Sequence, residues 1–142
     1  MLLKRVLLLP LLLLSFMAFA TQDKVYDPSR DAYTDYLNAL TIAKKDHKNI
    51  FVVAGGNWCP YCVKFEKNLK ETALDKVIEH DYVFMKANFS NENDNHTFFN
   101  LFPKFNAYPH IMIISSNGEL LLSQPMVLTE QQFRDVLKKY TI

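Results

Sequence analysis

Apolar positions in this chain fall into blocks, and the spacing within each block says what it can fold into. From Val6 to Met17 they run almost without a break. Between about Asp31 and Asp46 they thin to Tyr33, Tyr36, Leu37, Leu40 and Ala43, at three- and four-residue steps. That period predicts a helix with one apolar face. Lys44, Lys45, His47 and Lys48 place positive charge at the end where the helix dipole favours it. Ile50-Phe51-Val52-Val53-Ala54 is continuous and partly β-branched, which predicts a central strand covered on both faces. Gly55-Gly56-Asn57 ends it.

Helical spacing resumes with Val63, Phe65 and Leu69, and Leu74, Val77 and Ile78 carry that helix, straight or kinked, toward His80. Tyr82 to Asn88 reads as a second strand, Ser90 to Asn95 as a polar loop and His96 to Phe105 as a short helix. Phe98, Phe99, Phe102 and Phe105 follow helical spacing and are assigned to the core. Two apolar runs, Ile111 to Ser115 and Leu120 to Ser123, flank an Asn117-Gly118 pair, the strongest short signal for a hairpin. Thr129-Glu130-Gln131-Gln132 has the form of a capping box. It opens a last helix that buries Phe133, Val136 and Leu137.

The first twenty residues stand apart from this pattern. Lys4 and Arg5 precede the apolar run, and Ala18-Phe19-Ala20 closes it with small residues where signal peptidase reads. The run is shorter than the roughly 20 residues a spanning helix needs. No cysteine follows it, which excludes a lipid anchor of the bacterial lipoprotein kind. The expectation is a cleaved export signal over 1–20, a polar lead-in over 21–30 that is loosely held, and one folded domain over 31–142. Cleavage after Ala20 places the protein in the periplasm or outside the cell, with no stable membrane insertion. Loss of Lys4 and Arg5 takes the formal charge from +1 to about −1. That balance gives no reason to expect nucleic acid or an anionic membrane surface as a partner. Eleven Phe and seven Tyr with only three Gly describe a packed globule rather than a disordered tail.

Both cysteines lie in Trp58-Cys59-Pro60-Tyr61-Cys62. A ring closed over two residues constrains too little chain to staple a fold strongly. Two thiols at this spacing can instead cycle between disulfide and dithiol. Cys59 falls at the start of a helix beginning near Pro60, where unpaired N–H groups and the dipole stabilise a thiolate. Pro60 suits that first turn, where its missing N–H costs nothing. Cys59 is therefore the expected nucleophile, and Cys62 the thiol that resolves the mixed disulfide. The rival reading is a metallochaperone or a substrate-specific binding module that uses the pair for copper(I) or docking. Zinc wants four ligands, and His47, His80, His96 and His110 show no ligand spacing with one another.

The element order, with Trp-Cys-x-x-Cys between a buried strand and a helix and Tyr108-Pro109 before the Ile111 strand, resembles the thioredoxin superfamily. The resemblance covers roughly Asp31 to Ile142. It implies an α/β thioredoxin-like fold, with a central mixed β-sheet flanked by helices, and thiol–disulfide exchange with protein substrates. The long first helix running into Lys48-Asn49-Ile50 looks most like the exported branch that includes bacterial disulfide reductase domains, and Pro60-Tyr61 resembles the glutaredoxin dipeptide. The resemblance makes Pro109 a cis-proline opposite the cysteines. Trp58, Pro60 and Tyr61 then belong to one side of a substrate site and Tyr108, Pro109 and His110 to the other. It implies no bound cofactor, and a membrane electron donor or an oxidant that resets the pair. Two departures stand out. Val53 occupies the place of a buried aspartate, leaving water, Glu66 or Lys64 to take the Cys62 proton. His110 replaces a small residue; facing the cysteines, its protonated form would stabilise the Cys59 thiolate. The Trp before the motif favours reduction or isomerisation over primary oxidation, while Pro-Tyr and Val53 pull the other way.

Overall fold

The computed structural model describes residues 24–142, so the expected signal segment 1–20 and its cleavage after Ala20 lie outside the described residues. The elements in chain order are α1 (Ala32–Asp46), β1 (Asn49–Gly55), α2 (Pro60–Glu71), α3 (Leu74–Asp81), β2 (Tyr82–Asn88), α4 (His96–Phe99), β3 (His110–Ile114), β4 (Leu120–Pro125) and α5 (Glu130–Tyr140). The strands form one mixed sheet in the order β2-β1-β3-β4. β1 runs parallel to β2 and antiparallel to β3, and β3 pairs antiparallel with β4.

β1 is buried along its whole length, as a continuous apolar run in a central strand should be. Its side chains alternate between two layers. Phe51 and Val53 join Ile111, Ile113, Phe65, Leu69, Ile78, Phe133 and Leu137 on one face. Ile50 and Val52 join Met112, Ile114, Met85, Phe98 and α1 on the other. The α/β layering expected from the sequence is therefore the observed one.

Asp31 caps α1 by accepting from the Thr34 amide at 2.6 Å, and His47 closes it in the left-handed region at φ +54°. The buried stripe of α1 is Ala32, Tyr36, Ala39 and Ala43, whereas Tyr33 and Leu37 face solvent. Three alanines and Tyr36 form the contact face, with Leu40 partly buried against it. Thr129 and Gln132 make both bonds of the capping box on α5. Gly118 takes φ +86° in the β3–β4 turn, a conformation that costs glycine little.

Two predicted helices are shorter than their periodicity suggests. The helix toward His80 is broken into α2 and α3 at Thr72-Ala73, where Ala73 adopts φ +56°. The predicted His96-to-Phe105 helix is one turn, α4, followed by irregular chain. Pro103 bars continuation to Phe105, because it lacks an N–H and disfavours helix at Phe102. Phe99, Phe102 and Phe105 still pack against the α1-side core as expected.

The described part of the lead-in, 24–30, is not loose. Tyr26 is 3% exposed and belongs to the same apolar cluster as the cysteines. Asn57 Oδ1 accepts from the Val25 and Tyr26 amides at 2.9 Å each, and Asn57 Nδ2 donates to the Tyr26 carbonyl at 2.7 Å.

Candidate active site

β1 ends at Gly55, and a short loop delivers Cys59 to the N-cap of α2. Cys59 holds an extended backbone there, and its Sγ accepts from the Cys62 amide at 3.1 Å. Pro60 fills the first helical position. The cysteines are joined as a disulfide with Cα atoms 5.2 Å apart. The helix thus aims its positive end at Cys59 sulfur, an arrangement that favours charge on that sulfur once the bond opens. Both cysteines are buried, Cys59 at 3% and Cys62 at 1% exposed, and Cys62, one turn along α2, shares its cluster with Phe65 and Val53.

Exposed aromatic side chains flank the buried pair. Trp58 is 56% exposed and Tyr61 73%. Trp58 is fixed at both ends: its Nε1 donates to the Phe89 carbonyl at 2.6 Å, and its ring meets Tyr108 edge-on at 5.7 Å. Tyr108 in turn stacks on Phe89 at 5.2 Å. An open groove of about 1190 Å³ runs beside Trp58, lined in part by Pro28, Asn57, Phe89, Glu92, Asp94 and His96.

The Tyr108–Pro109 peptide is cis. The Pro109 carbonyl accepts from the Met126 amide at 2.8 Å. Tyr108 contributes neither its N–H nor its carbonyl to a hydrogen bond among the described residues, so both groups are free to pair with an extended chain. Trp58 and Tyr108 are therefore brought together by direct contact, and Pro60 and Tyr61 lie beside them on α2.

His110 is placed elsewhere. Strand alternation puts Ile111 and Ile113 on the cysteine side and turns His110 to the α1 side, where its ring stacks on Phe105 at 3.7 Å. Its Nε2 meets Ser123 Oγ at 2.9 Å, and its Nδ1 has no hydrogen-bond partner among the described residues. The expectation that His110 could face the cysteines and charge-stabilise Cys59 is thus corrected by the one-residue parity of β3. Burial pushes the His110 pKa below the ordinary histidine value, with a smaller opposing effect from the Ala107 backbone. A folded state that resists this proton gains relative stability above the unfolded pKa of about 6.5, and loses it as pH falls through the lower folded value. Urea unfolding at pH 7.5 and pH 5 should show a larger acid loss in the native chain than in His110→Gln. Equal losses would mean that His110 takes its proton freely when folded.

Of the groups expected to serve Cys62, Lys64 is exposed. Glu66 is largely covered and accepts from Lys86 Nζ at 2.6 Å. Val53 is 2% exposed beside the pair, so no carboxylate lies at that position.

Sequence reasoning missed Tyr26, Asn57 and Phe89. Asn57 carried only a turn signal, and Phe89 carried none, because its backbone carbonyl does the work. The clue to Tyr26 was a lone aromatic next to Asp27-Pro28 in an otherwise polar stretch. Asn57→Ala should cost about 1–3 kcal/mol, since three backbone groups lose their partner. It should also speed hydrogen exchange at the Val25 and Tyr26 amides. Unchanged exchange there would show that Tyr26 packing alone holds the segment.

Among the described residues, no group of three or more His, Cys, Asp or Glu could hold a metal ion. No helix among them is long and apolar enough to cross a membrane.

The model of a thioredoxin-like domain matches residues 36–141. No curated protein matches the chain. Among solved structures, a disulphide isomerase from Xylella fastidiosa Temecula1 superposes with a TM-score of 0.70 at 23% identity, over 81% of this chain and 95% of that one. A DsbH oxidoreductase gives 0.62 at 21% identity, over 74% and 80% of the two chains. The C-terminal domain of DsbD from Neisseria meningitidis, in its oxidised form, gives 0.60 at 14%, over 78% and 96%. At these identities the likeness is one of fold.

Proposed function

This chain belongs to the thioredoxin-like domain family and is a thiol:disulfide oxidoreductase, and on that footing we propose that it is an exported enzyme of reductase or isomerase type. Cys59 is the nucleophile. Its thiolate attacks a partner disulfide, one partner sulfur leaves, and Cys59 is joined to the other. Cys62 then gives up its proton and attacks Cys59 sulfur. The partner leaves as a second thiolate, the pair is left as a disulfide, and two electrons have passed to the partner. The observation that carries this reading is Cys59 as the N-cap of α2, its sulfur already accepting an amide hydrogen bond, between exposed Trp58 and Tyr61.

The substrate is a protein segment in extended form. It lies across Trp58 and Tyr61, with Tyr108 N–H and carbonyl pairing with its backbone and Pro109 forming the opposite wall. A membrane electron donor resets the pair after each turnover. Export rests on Lys4, Arg5, the Val6-to-Met17 run and Ala18-Phe19-Ala20.

The reduction potential of the Cys59–Cys62 pair, measured by equilibration with glutathione, tests the direction. A value near that of thioredoxin, about −270 mV, is expected. A value near the about −120 mV of a strong oxidant would overturn the reductase reading.

A further inference from the structure

Cys62 must become a thiolate to resolve the mixed disulfide, yet it is 1% exposed in an apolar cluster, where burial disfavours charge. Val53 supplies no carboxylate, and Glu66 already accepts from Lys86 at 2.6 Å, with Lys70 Nζ at 3.9 Å. A different polar group lies near the sulfur. A Cβ added to Gly55 would lie 2.6 Å from Cys62 Sγ and 2.7 Å from the Tyr26 hydroxyl oxygen. The sulfur and the hydroxyl therefore flank one bare glycine, with no side chain between them. Tyr26 is 3% exposed, held through its backbone by Asn57 of the loop before the motif, and its hydroxyl makes no hydrogen bond among the described residues. A hydroxyl with no protein partner is available to donate to a nearby sulfur that turns anionic during the reaction, and a bond to a charged acceptor is the stronger kind.

We propose that the Tyr26 hydroxyl is the hydrogen-bond donor that holds Cys62 as a thiolate during resolution of the mixed disulfide. Burial, with the nearby Glu66 charge, pushes the Tyr26 pKa far above its ordinary value. The phenol therefore stays protonated at neutral pH, acting as a donor and never as the base. The Cys62 proton passes to water. The thiolate, held by the O–H of Tyr26, attacks Cys59 sulfur. The Cys59–partner bond breaks, and the departing thiolate takes a proton from solvent. A dithiol, dithiothreitol in the assay, supplies the two electrons that reopen the pair.

The inference rests on exchange at the Cys59–Cys62 pair and not on its direction. Its first test therefore needs no turnover: the Cβ chemical shift of isotopically labelled Cys62 is followed against pH in the reduced protein. Tyr26→Phe removes only the hydroxyl. The strength of a hydrogen bond to a charged group corresponds to a rise of about one pH unit or more in the Cys62 midpoint. Resolution of a pre-formed mixed disulfide at pH 7 should slow about threefold, because the roughly tenfold loss of thiolate is partly offset by a more nucleophilic sulfur. Tyr82→Phe is the control, since its buried hydroxyl donates to the Leu137 carbonyl at 2.6 Å as part of the structural core. It should leave the Cys62 midpoint in place. An unmoved midpoint in Tyr26→Phe, or an equal rise in both variants, would overturn the proposal.

Discussion

Cys59→Ser should remove dithiothreitol-driven insulin reduction down to the uncatalysed rate while leaving the fold in place. Serine is among the preferred N-cap residues, so its oxygen can accept the Cys62 amide bond that Cys59 sulfur accepts now. What it cannot do is present a thiolate. The hydroxyl is not ionised at neutral pH, and the electrons of the reaction come from sulfur alone. The stability lost with the disulfide is modest, about 2 kcal/mol at most for so short a loop on the chain-entropy account. Activity and stability should therefore separate cleanly, provided unfolding is compared in reduced protein. Retention of native turnover by Cys59→Ser would sink the assignment of the nucleophile. Cys62→Ser supplies the complement. It can attack but not resolve, so insulin chains should accumulate as a covalent adduct that dithiothreitol releases, visible on a non-reducing gel.

The second large effect is on the core. Phe51→Ala should destabilise the protein by about 3–5 kcal/mol, measured as a lower urea midpoint at unchanged slope. Phe51 is fully buried on the central strand, and its ring meets Tyr82 at 5.8 Å, Phe133 at 5.9 Å and Phe84 at 6.1 Å. One side chain thus joins β1, β2 and α5 on the face that also carries the cysteines. Total stabilities of single domains are about 5–15 kcal/mol, so the loss is a large share of what is there. A cost below about 1 kcal/mol would mean that this face is not organised around β1.

The contrast between Phe51 and Tyr33 shows which positions were legible. Phe51 sits in an unbroken apolar run, and no arrangement of such a run leaves it in water. Tyr33 sits on an amphipathic helix, where periodicity gives an apolar stripe but not its exact angle. Packing against the sheet then fixed that angle, burying Tyr36 with Ala32, Ala39 and Ala43 and leaving Tyr33 outside. The break at Ala73 was not legible either, since neither glycine nor proline marks it. The Thr72 hydroxyl donates to the Asn68 carbonyl at 2.7 Å, and the chain turns through a left-handed alanine. Pro103, by contrast, was a visible stop, and the spacing of the phenylalanines overrode it.

The site divides in the same way. Cys59 at a strand–helix junction, Pro60 at the first helical position and the capping box at Thr129 are local arrangements. Each follows from residues within one turn of each other, and the sequence by itself determined them and with them the chemistry. Three other features came only with the tertiary structure: Trp58 locked on the carbonyl of Phe89, His110 turned from the cysteines, and Tyr26 brought with Cys62 to the same glycine, Gly55. The first and last join residues more than thirty positions apart, and the second depends on which face of β3 meets the sheet's cysteine layer. Spacing along a chain reports which side chains share a face. Which distant group meets that face is decided by packing, and here packing decided what surrounds the sulfur of Cys62.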